Sequence, residues 1–111
     1  MPTRAGSKLA VSAYVARCVR REEPPRISEF AQEIDVTPEH LSRTFHAAYG
    51  ITLSEYMKTQ QVHCAARLLR ETQLPTTRIA YLCGFGTRRT FFRAFRQRMG
   101  VSPDAYRRRT A

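Results

Sequence analysis

The second half of this 111-residue chain repeats the first. Shifted by 50 positions, Thr37 falls on Thr87, Leu41 on Phe91, Arg43 on Arg93, Phe45 on Phe95, Gly50 on Gly100 and Tyr56 on Tyr106. Upstream of the two threonines the shift becomes 49, setting Phe30 against Ile79 and Ala31 against Ala80, so the second copy has one extra residue in its turn. A fold that satisfies both copies is built twice from one unit. That unit is helical, because apolar residues recur at helical spacing and no run alternates apolar and polar between turn residues. Each copy reads as a short helix, a tight turn and a longer helix, the pattern of a helix-turn-helix.

The punctuation places the elements. Leu9, Tyr14, Val15, Cys18 and Val19 suit one amphipathic helix, closed by Glu22-Glu23-Pro24-Pro25. Ile27, Phe30, Ala31 and Ile34 suit a short second one. Thr37 is a natural N-cap with Pro38 pre-organised behind it, and Gly50 closes the helix that carries Leu41, Phe45 and Tyr49. Thr52 to Glu55 has capping-box spacing and opens a long helix to about Glu71. After the break at Pro75, Ile79 to Cys83 suit a short helix before Gly84-Phe85-Gly86, and Ser102-Pro103 start a last one. The expected fold is all-α. A flexible lead covers residues 1–8, a first helix-turn-helix unit 9–51, a linker helix 52–71 and a second unit 72–111.

Charge narrows the partner. Residues 1–50 carry seven Lys/Arg and six Asp/Glu, a net of +1; residues 51–111 carry twelve and three, a net of +9. A basic surface of that size favours an anionic polymer, with a membrane surface as the competing reading. No apolar run reaches the ~18 residues of a membrane span and no apolar leader follows the N-terminus, so the chain is expected in the cytoplasm. Three scattered cysteines (Cys18, Cys64, Cys83) are expected to be packing residues in a reducing compartment. His40, His46 and His63 lack ligand spacing, and no Ser/His/Asp or Cys/His pattern recurs. Neither a metal, a cofactor nor an enzymatic activity is expected.

The stretch Gly84–Pro103 mixes four phenylalanines with five arginines. On a helix at about 100° per residue, Phe91, Phe95 and Met99 share one stripe. Arg89, Arg93 and Arg96 share the opposite one, with Thr90 and Gln97 at its flanks. An ordinary solvated face mixes charge signs, yet Thr87–Met99 holds no Asp or Glu. An arginine face on the second helix of a helix-turn-helix suits a major groove, where arginine bonds guanine O6 and N7 or holds phosphate. In the first copy Glu39, Arg43 and His46 take the equivalent positions, flanked by His40 and Ala47, and the face is nearly neutral. Glu39 can accept from cytosine N4 or simply repel phosphate; both readings stand. The linker helix of about 20 residues is about 30 Å long, close to one DNA turn of ~34 Å. It suits a monomer that sets two recognition helices in successive major grooves over two unlike half-sites.

At this point the chain resembles a known family. "HLSRTF", "GITLSEYM", "IAYLCGF" and "FFRAFRQRMGVSPDAYRR" are similar to the DNA-binding region of the AraC/XylS family of bacterial transcription regulators. The resemblance runs from about Leu9 to Arg109. It implies about seven helices, sequence-specific binding to double-stranded DNA near promoters, activation, and contact with RNA polymerase. It puts base-reading positions on Glu39, Ser42 and Arg43 in the first unit and on Arg88, Arg89 and Arg93 in the second. Helical geometry supports Glu39, Arg43, Arg89 and Arg93 independently; Ser42 and Arg88 rest on the resemblance. Thr37, His40, His46, Thr87, Thr90, Arg96 and Gln97 are then expected to flank the bases or hold phosphate. Three positions depart from the family pattern. Phe92 replaces a small or polar residue and either meets a thymine methyl or packs on the protein. Gln61 stands where the linker helix often has arginine. Gly86-Thr87 replace Ser-Asp, so the helix is expected to start at Thr87. The family usually adds a sensor domain, which leaves a stand-alone regulator or a fragment as the two expectations. The rival function is a basic nucleic-acid-binding or RNA polymerase-binding adaptor with little sequence specificity.

Overall fold

The computed structural model describes residues 4–111, so the start of the expected lead, residues 1–3, lies outside the described residues. A single 3-10 turn, Arg4–Gly6, leads into seven α-helices, with no strand among the described residues. They are α1 (Lys8–Arg20), α2 (Ile27–Glu33), α3 (Pro38–Tyr49), α4 (Leu53–Glu71), α5 (Thr76–Leu82), α6 (Arg88–Met99) and α7 (Pro103–Thr110).

Five of the seven starts are hydroxyl caps. Ser7, Thr37, Thr52, Thr87 and Ser102 each accept a hydrogen bond at 3.1 Å from the backbone N–H three residues on, which satisfies a donor the helix leaves unpaired. Pro38 and Pro103 follow their caps. The Thr52–Glu55 capping box forms only by half. Thr52 accepts from the Glu55 N–H, but the Glu55 carboxylate turns to Arg98 of α6 at 2.7 Å.

The core falls into two clusters that share α4. Val11, Tyr14, Val15, Cys18, Phe30, Ala31, Leu41 and Phe45 close the first with Leu53 and Met57 of α4. Val62, Ala65, Ala66 and Leu69 of α4 belong to the second, with Ile79, Ala80, Cys83, Phe85, Phe91, Ala94 and Phe95. Half-buried Cys64 packs against both. The linker helix is therefore core at both ends. One sequence expectation fails here: Leu9 is 79% exposed, and Val11 takes its place in the core. Residues 11, 14, 15 and 18 lie on one face at 100° per residue, whereas Leu9 stands about 200° from Val11.

The two helix-turn-helix turns follow one plan. After α2, the Asp35 N–H bonds Gln32 O and the Val36 N–H bonds Ala31 O. After α5, the Gly84 N–H bonds Tyr81 O and the Phe85 N–H bonds Ala80 O. Both are Schellman turns with their left-handed residue at equivalent positions, Asp35 at φ 59° and Gly84 at φ 83°. Gly86 is the extra residue of the second copy.

Candidate nucleic-acid interface

Each turn delivers a 12-residue helix with one face in the core and the other in solvent. In α6, Phe91 and Phe95 are fully buried, with ring centroids 5.7 Å apart; Phe85 lies 5.3 Å from Phe91, and Tyr106 of α7 lies 5.5 Å from Phe95. This aromatic stack fixes the roll of α6 about its axis. Arg89, Thr90, Arg93, Arg96 and Gln97 then face solvent. In α3, Leu41 and Phe45 anchor the helix and leave Glu39, His40, Arg43 and His46 exposed, with Ser42 half-buried beside them. Thr37 and Thr87 are exposed at the two helix starts.

The arginines sort by what they touch. Arg17, Arg21, Arg67, Arg78, Arg88 and Arg98 each stand within 4 Å of a carboxylate. Arg107 is spent on the end of α4, donating to Leu69 O and Thr72 O at 3.2 Å each. Among the described residues, Arg43, Arg89, Arg93 and Arg96 have no such carboxylate. The α6 face therefore presents three cations whose charge nothing in the fold neutralises. Such a face attracts an anion and gains from the counterions that a polyanion releases.

Three residues singled out in the sequence, Arg88, Phe92 and Gln61, make contacts within the protein. Arg88 opens α6, but its guanidinium carbon lies 4.0 Å from the Phe92 ring centroid and its Nη2 lies 3.6 Å from Asp104 of α7. Phe92 is half-buried and meets Phe91 edge-on at 5.8 Å, so it packs on the protein and forms the shelf on which Arg88 stacks. Gln61 supports the scaffold: its Nε2 donates to Cys83 O at 2.9 Å, satisfying a carbonyl at the end of α5. Arg98 carried no role in the sequence reading, and it ties α6 to α4 through Glu55 at 2.7 Å and Thr59 at 3.1 Å. Its partners are about 40 residues away, so no local pattern announces it; the clue was a carboxylate at position 55 beside an all-basic helix. Burial, with Cys64 adding to it, pushes the Cys83 thiol up to about 12, and burial also raises Cys64. Both thiols stay neutral packing groups, as expected of them.

Paired helix-turn-helix units that share a core helix, one with an unneutralised arginine face, define a DNA-binding regulator. Comparison with known proteins agrees. The family model for a helix-turn-helix domain matches residues 30–109. The chain is 40% identical over 83 residues to the HTH-type transcriptional regulator Rv1931c of Mycobacterium tuberculosis, which takes in 75% of this chain and 32% of that protein. It is 32% identical over 88 residues to the regulatory protein SoxS of Salmonella typhimurium, covering 79% of this chain and 82% of SoxS. The DNA-binding domain of AdpA, a global transcriptional factor solved in complex with a target DNA, matches with a TM-score of 0.75 and 26% identity, over 89% of this chain and 90% of that one. The chain spans about a third of the length of the mycobacterial regulator and 25–27% of two other curated relatives. The chain belongs to the AraC/XylS family of helix-turn-helix transcriptional regulators.

Proposed function

We propose that this chain binds double-stranded DNA as a monomer, sets α3 and α6 into successive major grooves on one face of the duplex, and activates transcription beside RNA polymerase. The observation that carries the reading is the shared helix: 19 residues of α4 give about 28 Å at 1.5 Å per residue, against ~34 Å for a turn of DNA. Each recognition helix is anchored to one end of α4 by its own core, so a single chain supplies two groove-reading helices. In this reading Arg89 and Arg93 contact guanine, or hold phosphate where no guanine stands, while Glu39, Ser42 and Arg43 read the other half-site. Arg88 joins them once its stack on Phe92 opens or turns toward the base edges. Thr37, His40, His46, Thr87, Thr90, Arg96 and Gln97 line the flanks and meet phosphate. Residues 9–51 and 72–111 act as the two reading units.

Selection from random duplexes, followed by footprinting and sedimentation of the complex at moderate salt, tests this. The expected result is one protein per site, protected over about two helical turns. A strict requirement for two chains on a palindrome would end the monomer reading, and equal affinity for all duplexes would favour the non-specific rival.

A further inference from the structure

Glu22 holds a backbone conformation that suits glycine. Its φ is 58°, and it ends α1 in a Schellman turn, with its own N–H on Val19 O at 3.1 Å and the Glu23 N–H on Cys18 O at 3.0 Å. A side chain at such a position is strained. The carboxylate found there reaches Arg78 of α5, 2.6 Å away and 56 residues along the chain. Two residues on, Pro24 and Pro25 press against the turn between α5 and α6. A Cβ added at Gly84 would stand 2.8 Å from Pro25 Cδ, 3.0 Å from Gln61 Nε2 and 3.1 Å from Pro24 Cα. Gly86, in the same turn, has open space around it. Gln61, buried in α4, completes the junction by bonding Cys83 O. The α1–α2 connection of the first unit and the recognition turn of the second thus meet directly, with Gln61 of the linker helix touching the same turn.

We propose that Glu22, Pro24, Pro25, Gln61, Arg78 and Gly84 form a brace that fixes the rotation of one recognition helix relative to the other, so that the chain reads the spacing of its half-sites as well as their bases. This rests on the two-groove reading above. A single shared helix, packed into both cores, sets the distance between the units; contacts that join the units directly bear on their relative rotation. One inserted base pair moves a half-site by about 3.4 Å and turns it by about 35°, since about 10 base pairs make a turn. Rejecting that change requires the units to be held in rotation as well as in distance. The direct contacts of Glu22 with Arg78 and of Pro24 and Pro25 with the Gly84 turn couple the two units in that sense. The proline pair transmits force because its φ angles are locked, and Gly84 admits the prolines because it has no Cβ.

Two variants and two measurements test the brace. Gly84→Ala pushes Pro25 away, and Glu22→Gly removes the ion pair while giving the α1 turn the residue it favours, so the second variant keeps the fold. On the selected site with one base pair inserted between the half-sites, the wild-type chain should lose at least about tenfold in affinity, comparable with a base mismatch. Gly84→Ala should lose less than about threefold on the same insertion. Glu22→Gly should relax the penalty by about two- to fivefold, the range an exposed ion pair supports. Residual dipolar couplings of the free chain should give one alignment tensor for both units in the wild type and two in Gly84→Ala. One tensor in both proteins, with unchanged spacing penalties, overturns the brace and leaves the two-groove reading standing. A wild-type footprint confined to one half-site removes the two-groove reading, and the spacing function falls with it.

Discussion

Laid over one another, α3 and α6 agree inward and disagree outward. Both run 12 residues from a threonine cap to a left-handed glycine, Gly50 at φ 74° and Gly100 at φ 79°. Leu41 and Phe45 answer Phe91 and Phe95 in the two cores. Outside, Glu39, Arg43 and His46 answer Arg89, Arg93 and Arg96. With histidine neutral, that is a net charge of zero against three. Inward positions are limited by packing, since a helix that loses its anchor loses its orientation. Outward positions are free of that limit and take their chemistry from what the helix meets. The comparison therefore assigns the two units different work: the second is expected to supply most of the affinity for a polyanion, and the first mainly selectivity.

The largest effects should come from the cores, and they test whether the units are separate at all. Phe45→Ala and Phe95→Ala each remove a fully buried ring and should each cost about 3–5 kcal/mol of stability. Because α4 carries core residues of both clusters, unfolding in urea should remain one transition for either variant, followed equally by tyrosine fluorescence and circular dichroism. A biphasic transition in which Phe45→Ala moves only one step would show that the units fold apart and that α4 is a spacer.

Next in size is the contrast between equivalent arginines. Arg93→Ala should cost about 1–3 kcal/mol of binding and relax sequence choice in one half-site. Arg96→Ala should weaken all sequences alike and flatten the salt dependence by about one, as one lost phosphate contact requires. Arg43→Ala, on a face that Glu39 already neutralises, should cost less than Arg93→Ala on the same site at fixed salt. Titrations of one labelled duplex with the three variants decide the order. A clearly larger loss at Arg43 would reverse the division of labour and place α3 deeper in its groove.

What the sequence made legible, and what it hid, follows from the range of the interactions involved. Caps at Thr37, Thr52 and Thr87 and the core stripes of α3 and α6 act within about four residues, and the internal repeat doubles these signals; the extra turn residue shows as the break in that repeat. Leu9 was misplaced because a first apolar residue has no earlier partner to fix its phase, and Val11 starts a better stripe. As a departure from the family pattern Phe92 suits either a thymine methyl or the protein surface, and the Arg88 stack and the edge contact with Phe91 favour the protein. The Glu22–Arg78 and Arg98–Glu55 pairs join exposed or semi-exposed charges 56 and 43 residues apart, and such pairs leave no periodic trace. Gly84 and Gly86 looked alike in sequence. One carries a left-handed backbone against Pro25, and the other sits in open space.

The smallest effect concerns the left-handed position of the two turns, which one copy fills with aspartate and the other with glycine. Asp35 and Gly84 both occupy the left-handed position of a Schellman turn. Gly84 cannot be replaced cheaply, because its φ of 83° strains any side chain and a Cβ would meet Pro25. Asp35 is exposed, so sterics do not forbid its side chain. It costs stability in two ways. A non-glycine residue pays to be left-handed, though aspartate less than most. Its negative charge also stands at the C-terminal end of α2, where the helix dipole opposes an anion. Against this, glycine widens the unfolded ensemble by about 0.4–1 kcal/mol. The balance should favour Asp35→Gly by about 0.5 kcal/mol, since left-handed strain alone runs to roughly 1–2 kcal/mol for an ordinary residue. Gly84→Ala should go the other way and by more. Urea midpoints at unchanged slope measure both. If Asp35→Gly lowers the midpoint, the aspartate is stabilising its turn, and the two turns are alike in shape but held by different forces.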